Sequence, residues 1–333
     1  MAVGAAVGEM DEFELIKRYF ARPEISQIQG QYTDGLIGIG DDCALFDIPV
    51  DMQLAQSLDT LVEGVHFPKE CDPFALGYRA LAVSLSDLAA MGAEPHSFIL
   101  GLTLPRVSEL WLKGFSEGLA QLAQQVKAPL IGGDTTRGPL TISLQVQGLI
   151  PKGKALLRSG ARPGDLICVT GTLGDAAGAL PFVLHGDTPE TCGDDHLRYL
   201  LNRYWYPSPR LFAGQWLRQI GATAALDISD GLLGDLRHIL KASHAGAEIA
   251  PELVPRSSAL NRQYDQKTAL KLALTGGDDY ELCFTIPRAL AQSLPSKLKD
   301  GCRITCIGQI NDEPGILRDS QGNLLTEKAY THF

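Results

Sequence analysis

Asp72-Pro-Phe-Ala-Leu-Gly-Tyr-Arg-Ala-Leu-Ala-Val-Ser-Leu-Ser-Asp-Leu-Ala-Ala-Met-Gly92 spells a tightly packed core helix with one residue out of place. Asp72 can cap its start, Pro73 suits the first helical position, and Gly92 can end it. Leu76, Ala80, Leu81, Val83, Ser84, Leu85 and Leu88 leave almost no wet face around Asp87. An ionised carboxylate there needs a partner, and a metal ion is a natural candidate.

More carboxylates stand at the ends of apolar strand-like runs. These are Gly38-Ile-Gly-Asp-Asp42, Leu54-Ala-Gln-Ser-Leu-Asp59, Leu130-Ile-Gly-Gly-Asp134, Leu226-Asp-Ile-Ser-Asp-Gly231 and Leu274-Thr-Gly-Gly-Asp-Asp-Tyr-Glu281. Taken singly, Asp42, Asp134, Asp175 and Asp230 read as turn or cap residues. Asp87, inside a helix, and Asp227, at the end of an apolar strand, resist that reading. Hard oxygen ligands without neighbouring His or Cys favour Mg²⁺, or Mg²⁺/Mn²⁺, over zinc or copper, and carboxylate-bound Mg²⁺ usually has substrate phosphates completing its shell. The set therefore points to a site of several Mg²⁺ ions and to phosphoryl transfer.

At 333 residues, 45% hydrophobic and 20% charged, the chain has the composition of a globular protein and is long enough for two cores. A net charge of -10 excludes the basic field a nonspecific nucleic-acid binder needs. Seven cysteines, at 43, 71, 168, 192, 283, 302 and 306, form no CxxC pair, so reduced, buried thiols and a cytoplasmic location are expected. Met1–Gly8 has no basic n-region, and no apolar run approaches the length of a membrane span. Neither a secretory signal nor a membrane anchor is expected.

Apolar alternation predicts strands at 34–40, 52–58, 97–104 and 140–150, with a short helix near 11–20 and longer ones near 73–91 and 108–126. A turn-rich stretch, Pro151-Lys-Gly-Lys and Ser159-Gly-Ala-Arg-Pro-Gly164, divides this half from a second α/β series. That series has a strand at 165–170, a helix near 174–184, a strand at 222–228 and a helix near 231–243. The fold class is mixed α/β (α+β) in two domains, 1–152 and 153–333. The acidic stretch 186–200 reads as an exposed loop.

Gly148-Leu-Ile-Pro-Lys-Gly-Lys154 matches the spacing of a phosphate-binding loop, but Ala155 stands where the magnesium-holding Ser or Thr is required, so it is set aside. Ser229-Asp-Gly opens an amphipathic helix whose first amides are expected to be available to a phosphate. Gly171-Thr-Leu-Gly-Asp175 reads as a structural turn. His66 is as compatible with packing as with binding, and Arg158 with a solvated loop as with a phosphate contact.

Six blocks in order resemble the thiamine-monophosphate kinase family, of the aminoimidazole-ribonucleotide (AIR) synthetase-like, or PurM-like, superfamily. They are Gly38-Ile-Gly-Asp-Asp-Cys-Ala44, Ser57-Leu-Asp-Thr60 with His66-Phe67, Leu81 to Ala93, Ile131-Gly-Gly-Asp-Thr-Thr-Arg-Gly138, Asp227-Ile-Ser-Asp-Gly-Leu232 and Gly276-Gly-Asp-Asp-Tyr-Glu-Leu282. The resemblance implies two AIR synthetase-like domains, the N-terminal one pairing its sheet with a second copy in a homodimer. It implies ATP and thiamine monophosphate as substrates and direct in-line transfer without a phosphoenzyme. By motif, Asp42, Ser57, Leu58, Asp59, Asp87, Asp134, Asp227 and Asp230 would hold Mg²⁺. Gly133, Asp134, Arg158 and Ser229 would contact ATP, and His66, Asp278 and Tyr330 the thiamine phosphate.

Two positions depart from the family pattern. Leu58 replaces a Thr, so only its backbone carbonyl can reach a metal, and Asp278 replaces a Glu and is one methylene shorter. Rival readings are a selenophosphate or AIR synthetase, disfavoured by the absence of a reactive N-terminal Cys region and by the Gly-Asp-Asp-Tyr-Glu-Leu block, and a Mg-nucleotide sensor without turnover.

Overall fold

A computed structural model describes residues 12–327, so Tyr330 lies outside the described residues. The chain packs as two compact units. The first takes residues up to Asp47, Leu58–Leu81 and His96–Val146; the second takes Ile48–Ser57, Ala82–Pro95 and the chain from Gln147 onward. The helix over Pro73–Ala90 is as expected. Asp72 Oδ1 accepts the Ala75 N–H at 2.8 Å, and Leu76, Ala80, Leu81, Leu85 and Leu88 are buried.

The N-terminal half contains a four-stranded sheet of β1 (Met52–Val62), β2 (Glu94–Leu104), β3 (Leu130–Arg137) and β4 (Thr141–Pro151), in the order β1-β4-β2-β3. β2 and β3 run parallel because the helix Glu109–Val126 carries the chain back between them. Leu100, Leu102, Leu104, Ile142, Leu144 and Val146 are buried, whereas Gly101, Thr103, Ser143 and Gln145 are half-buried. This period of two gives the sheet one dry face and one open face. Within the first unit, a Cβ at Gly77 would collide with the Phe115 carbonyl and one at Gly118 with that of Phe74. These two glycines let the helices Pro73–Ala90 and Glu109–Val126 cross backbone to backbone.

Residues 34–40, expected as a strand, form only the isolated bridges Ile37–Leu45 and Ile39–Asp41. Gly35 and Gly40 adopt φ of 75° and 135°, which breaks the extended run. The acidic stretch 186–200 is not all loop. Asp194 accepts the N–H groups of His196 and Leu197 and starts the helix Asp195–Trp205.

The second unit is built on a six-stranded sheet of β5 (Leu166–Thr170), β6 (Ala224–Ile228), β7 (Gly246–Ile249), β8 (Glu281–Ile286), β9 (Ile304–Asn311) and β10 (Leu317–Asp319). Its order is β10-β7-β9-β5-β8-β6, antiparallel except for β10 with β7. Alternate residues feed two cores. Ile167, Val169, Leu226 and Ile228 pack with the helix Leu232–Ser243 on one face. Cys168, Ala225, Leu282 and Phe284 pack on the other with Ala213 and Leu217 of the helix Leu211–Ile220 and with Ala89 and Ala90. Each of the Leu, Ile, Val and Phe side chains among them contributes about 1.5–3 kcal/mol on burial.

The expectation of buried thiols holds for some of the cysteines only. Cys168 and Cys306 face each other across β5 and β9 with their sulfurs side by side, a pairing set by sheet register over a separation of 138 residues. Cys43 is exposed, Cys71 and Cys192 are half-buried, and Cys283 and Cys302 are buried. Among the described residues no helix is long and apolar enough to cross a membrane.

Candidate active site

β6 is buried along its whole length, and its fourth residue, Asp227, is only 8% exposed. Ser86 Oγ donates to Asp227 Oδ2 at 2.7 Å, while Ser57 Oγ donates to Asp87 Oδ2 in a very short hydrogen bond. Burial first, then the negative charge of Asp87, hold the Asp227 carboxyl well above the usual carboxylate range; the Ser86 hydrogen bond opposes them. Asp87 therefore meets a second carboxylate rather than a countercharge. An acidic group near the end of a buried strand and a second, half-buried one on a helix, each with a hydroxyl beside it, are the donor set of a hard cation, so these residues fit Mg²⁺. Among the described residues, no three Asp, Glu, His or Cys side chains are drawn together as a metal cluster.

The turn after β6 corrects one expectation. The N–H groups of Ser229, Asp230 and Gly231 all donate to Asp235 Oδ2, at 3.1, 3.0 and 3.1 Å. The amides expected to be available to a phosphate are already committed to a side chain. Nor does Asp230 cap the helix Leu232–Ser243: the cap position is Gly231, without a side-chain hydrogen bond. Burial pushes the Asp235 carboxyl up to about 6, against the pull of the backbone N–H groups. Asp235 looks like any charged residue of a helix's first turn, and no local signal marks its contact with residues four to six positions earlier.

The block Gly276-Gly-Asp-Asp-Tyr-Glu281 lies against that turn. Asp278 N–H donates to Ser229 O at 2.8 Å and Tyr280 N–H to Ile228 O at 2.9 Å. Asp227, Ser229, Asp230 and Asp278 are thus brought into one neighbourhood by main-chain bonds within the second unit. Tyr280 OH donates to Asp278 Oδ1 at 2.8 Å. Glu281 is fully buried. It accepts Arg203 Nη2 at 2.9 Å, Arg210 through Nε at 2.6 Å and Nη2 at 2.5 Å, and Thr170 Oγ1 at 2.7 Å. Burial alone would raise its carboxyl, but Arg210 and Arg203 hold it below the usual range.

Asp279 is the reverse case, held well above the usual range by burial although Arg203 opposes the shift. Its Oδ2 accepts the Gly174 N–H at 2.7 Å. Asp175, fully enclosed, accepts Thr172 and Ser257 hydroxyls, each at 2.5 Å, so the Gly171–Asp175 turn is structural, as expected. Arg203 and Arg210 gave no sequence signal, because their partner lies more than 70 residues away.

In the first unit, Asp41, Asp42, Gly133 and Asp134 line a cavity of about 450 Å³ with Phe20 and Ile131 among its apolar walls. Asp134 lies within β3 rather than at its end, opposite Gly101. Asp59 likewise lies within β1, next to Leu58, whose side chain is 63% exposed. His66 Nδ1 accepts the Val62 N–H at 3.0 Å, which places the proton of the neutral ring on Nε2. Arg158, in the second unit, is exposed, and its carbonyl accepts Ser243 Oγ.

Residues 40–150 match the N-terminal domain of the AIR synthase related protein family, and residues 162–318 match its C-terminal domain. The thiamine-monophosphate kinase of Escherichia coli K12 is 49% identical over 326 residues, covering 97% of this chain and 98% of that protein. The chain belongs to the thiamine-monophosphate kinase family. A crystal structure of this family from Stenotrophomonas maltophilia K279a superposes with a TM-score of 0.82 at 43% identity, covering 95% of this chain and 98% of that one. A second, AaThiL complexed with AMPPCP and TMP, gives a TM-score of 0.77 at 27% identity, with both chains fully covered. Family membership and the two mixed α/β units agree with the expected two-domain AIR synthetase-like fold.

Proposed function

We propose that this chain is a thiamine-monophosphate kinase, transferring the γ-phosphoryl group of ATP to a phosphate oxygen of thiamine monophosphate to give ADP and thiamine diphosphate. The observation that carries this reading is the Asp87–Asp227 pair, a half-buried and a buried carboxylate close enough for the charge of one to raise the other, each accepting a serine hydroxyl. Near-complete coverage by thiamine-monophosphate kinases supports the choice of substrates. Both reactants are anions, and the acceptor oxygen attacks the γ-phosphorus itself, so no side chain need act as nucleophile. Magnesium, when bound, would offset the repulsion between the two phosphates.

The chain's own residues hold and orient. Asp42, Ser57, the Leu58 carbonyl, Asp59, Asp87, Asp134, Asp227 and Asp230 are assigned to Mg²⁺. Gly133, Asp134, Arg158 and Ser229 are assigned to ATP, and His66, Asp278 and Tyr330 to thiamine monophosphate. For Ser229 the side chain or carbonyl must serve, since its N–H is bonded to Asp235. The domains are assigned as 1–152 and 153–333, and the location as cytoplasmic. A homodimer through the open face of the N-terminal sheet is supported by its half-buried Gly101, Thr103, Ser143 and Gln145.

The test is a coupled ADP-release assay with ATP, Mg²⁺ and thiamine monophosphate, with free thiamine as parallel acceptor and chromatographic identification of the product. Thiamine diphosphate formed from the monophosphate alone supports the proposal. Tight ATP binding without ADP release refutes it in favour of a nucleotide sensor. Light scattering across a dilution series tests the dimer.

A further inference from the structure

Asp278 and Tyr280 both adopt left-handed backbone conformations, with φ of 69° and 51°. Neither is glycine, so surrounding structure must hold them there. The residues between and after them do the holding. Asp279 and Glu281 point inward, 1% and 0% exposed, and each is anchored by groups from distant parts of the second unit. Arg203 Nη2 donates both to Glu281 Oε1 and, at 3.3 Å, to the carbonyl of Asp279, the residue between the two left-handed ones. Arg210 grips the same carboxylate through two nitrogens, and Thr170 adds a third donor.

A buried ion pair is a poor way to stabilise a core, since apolar residues of equal volume commonly do as well or better. β8 is otherwise Leu-Cys-Phe-Thr-Ile and fully buried, so an apolar residue at its first position would suit the sheet. What the carboxylate adds is direction: it fixes Arg203, and through Arg203 the orientation of the Asp279 peptide. The same backbone sets where the Asp278 carboxylate and its Tyr280 hydroxyl partner stand.

We propose that Glu281, acting through Arg203, Arg210 and the Asp279 carbonyl, is a positioning residue that presents Asp278 to the thiamine-phosphate substrate. This rests on the assignment of Asp278 as a substrate contact.

The test is a double-mutant cycle on steady-state kinetics, using Glu281→Gln, Asp278→Ala and the pair, with each substrate varied at saturation of the other. Glu281→Gln is expected to raise KM for thiamine monophosphate about 10- to 100-fold. KM for ATP should stay within about twofold, as for a change confined to one substrate's end of the site. In the Asp278→Ala background the same substitution should have little further effect. Full additivity overturns the proposal, as does a fall in kcat with both KM values unchanged, which is what a merely smaller folded fraction would give. If Asp278→Ala alone leaves KM for thiamine monophosphate unchanged, the substrate-contact assignment has failed first, and the proposal falls with it.

Should Glu281→Gln not fold, Thr170→Val removes one donor to Glu281, together with the acceptor of the Leu282 N–H, and leaves both arginines. It is expected to raise that KM about threefold, with Thr170→Ser restoring it. A Thr170→Val enzyme with wild-type KM would overturn the proposal.

Discussion

Replacing Asp235 by Asn should make the metal-free protein relatively more stable as pH rises, although it removes a carboxylate that accepts three backbone hydrogen bonds. Asp235 is 5% exposed, and its carboxyl rises from an ordinary 3.8 to about 6 on folding, mainly through burial. A group whose pKa is raised in the folded state contributes stability that is complete below its unfolded value and lost as pH climbs through its folded one. A rise of about two pH units corresponds, at 1.36 kcal/mol each, to about 3 kcal/mol lost between pH 4 and pH 7. Asn keeps an acceptor oxygen but carries no charge to desolvate, so the variant should not pay this cost. Urea unfolding in EDTA at pH 4, 5, 6 and 7, followed by the fluorescence of Trp111, Trp205 and Trp216, measures the difference. Asp279 affects both proteins alike and cancels in the comparison, whereas Asp227, which the charge of Asp235 helps to raise, is relieved in the variant and shifts the difference in the same direction. If Asp235→Asn instead becomes relatively less stable with rising pH, the three N–H bonds outweigh desolvation and the reasoning is refuted.

Three further outcomes are expected. Asp87→Asn should abolish the Mg²⁺-dependent rise in Tm, which for the wild type corresponds to about 2.7 kcal/mol at a hundredfold excess over Kd; an undiminished Mg²⁺ shift would remove Asp87 from the metal site. Ser86→Ala should cost about 1–3 kcal/mol in urea unfolding, because Asp227 loses a buried hydrogen bond; a neutral variant would mean another donor takes over. Gly171→Ala should lower stability by about 2 kcal/mol or more, because φ is 60° there and a Cβ would collide with the Glu281 carboxylate. An unchanged Tm would show that the Glu281 network can move aside.

Regular periodicity made the helix Pro73–Ala90 and strands β5 and β6 legible in the sequence, because burial and chain geometry agree along them. The segment 34–40 shows the same apolar spacing, but its glycines prefer the turn, and spacing carries no information about φ. Asp87 and Asp227 were legible for the opposite reason, as charges where apolar residues belong. Asp235, Arg203 and Arg210 were not. Their chemistry lies in partners chosen by the folded chain, whether four residues away across a turn or 78 residues away across a sheet. The availability of the Ser229–Gly231 amides was misjudged on the same account, since a helix start is recognisable in sequence but its occupant is not.

The interleaving of the two units has a consequence for synthesis. Ser86, Asp87, Ala89 and Ala90 belong to the second unit, yet their partners Asp227, Ala213 and Leu217 follow more than 120 residues later. At about 5–20 residues per second, the ribosome needs about 6–25 s to supply them. Through that interval the C-terminal half of the helix Pro73–Ala90 has emerged with its apolar side uncovered and without Asp227 beside it. The nascent chain must carry that surface until the helix Leu211–Ile220 arrives, a window in which a chaperone or a misplaced neighbour can reach the segment.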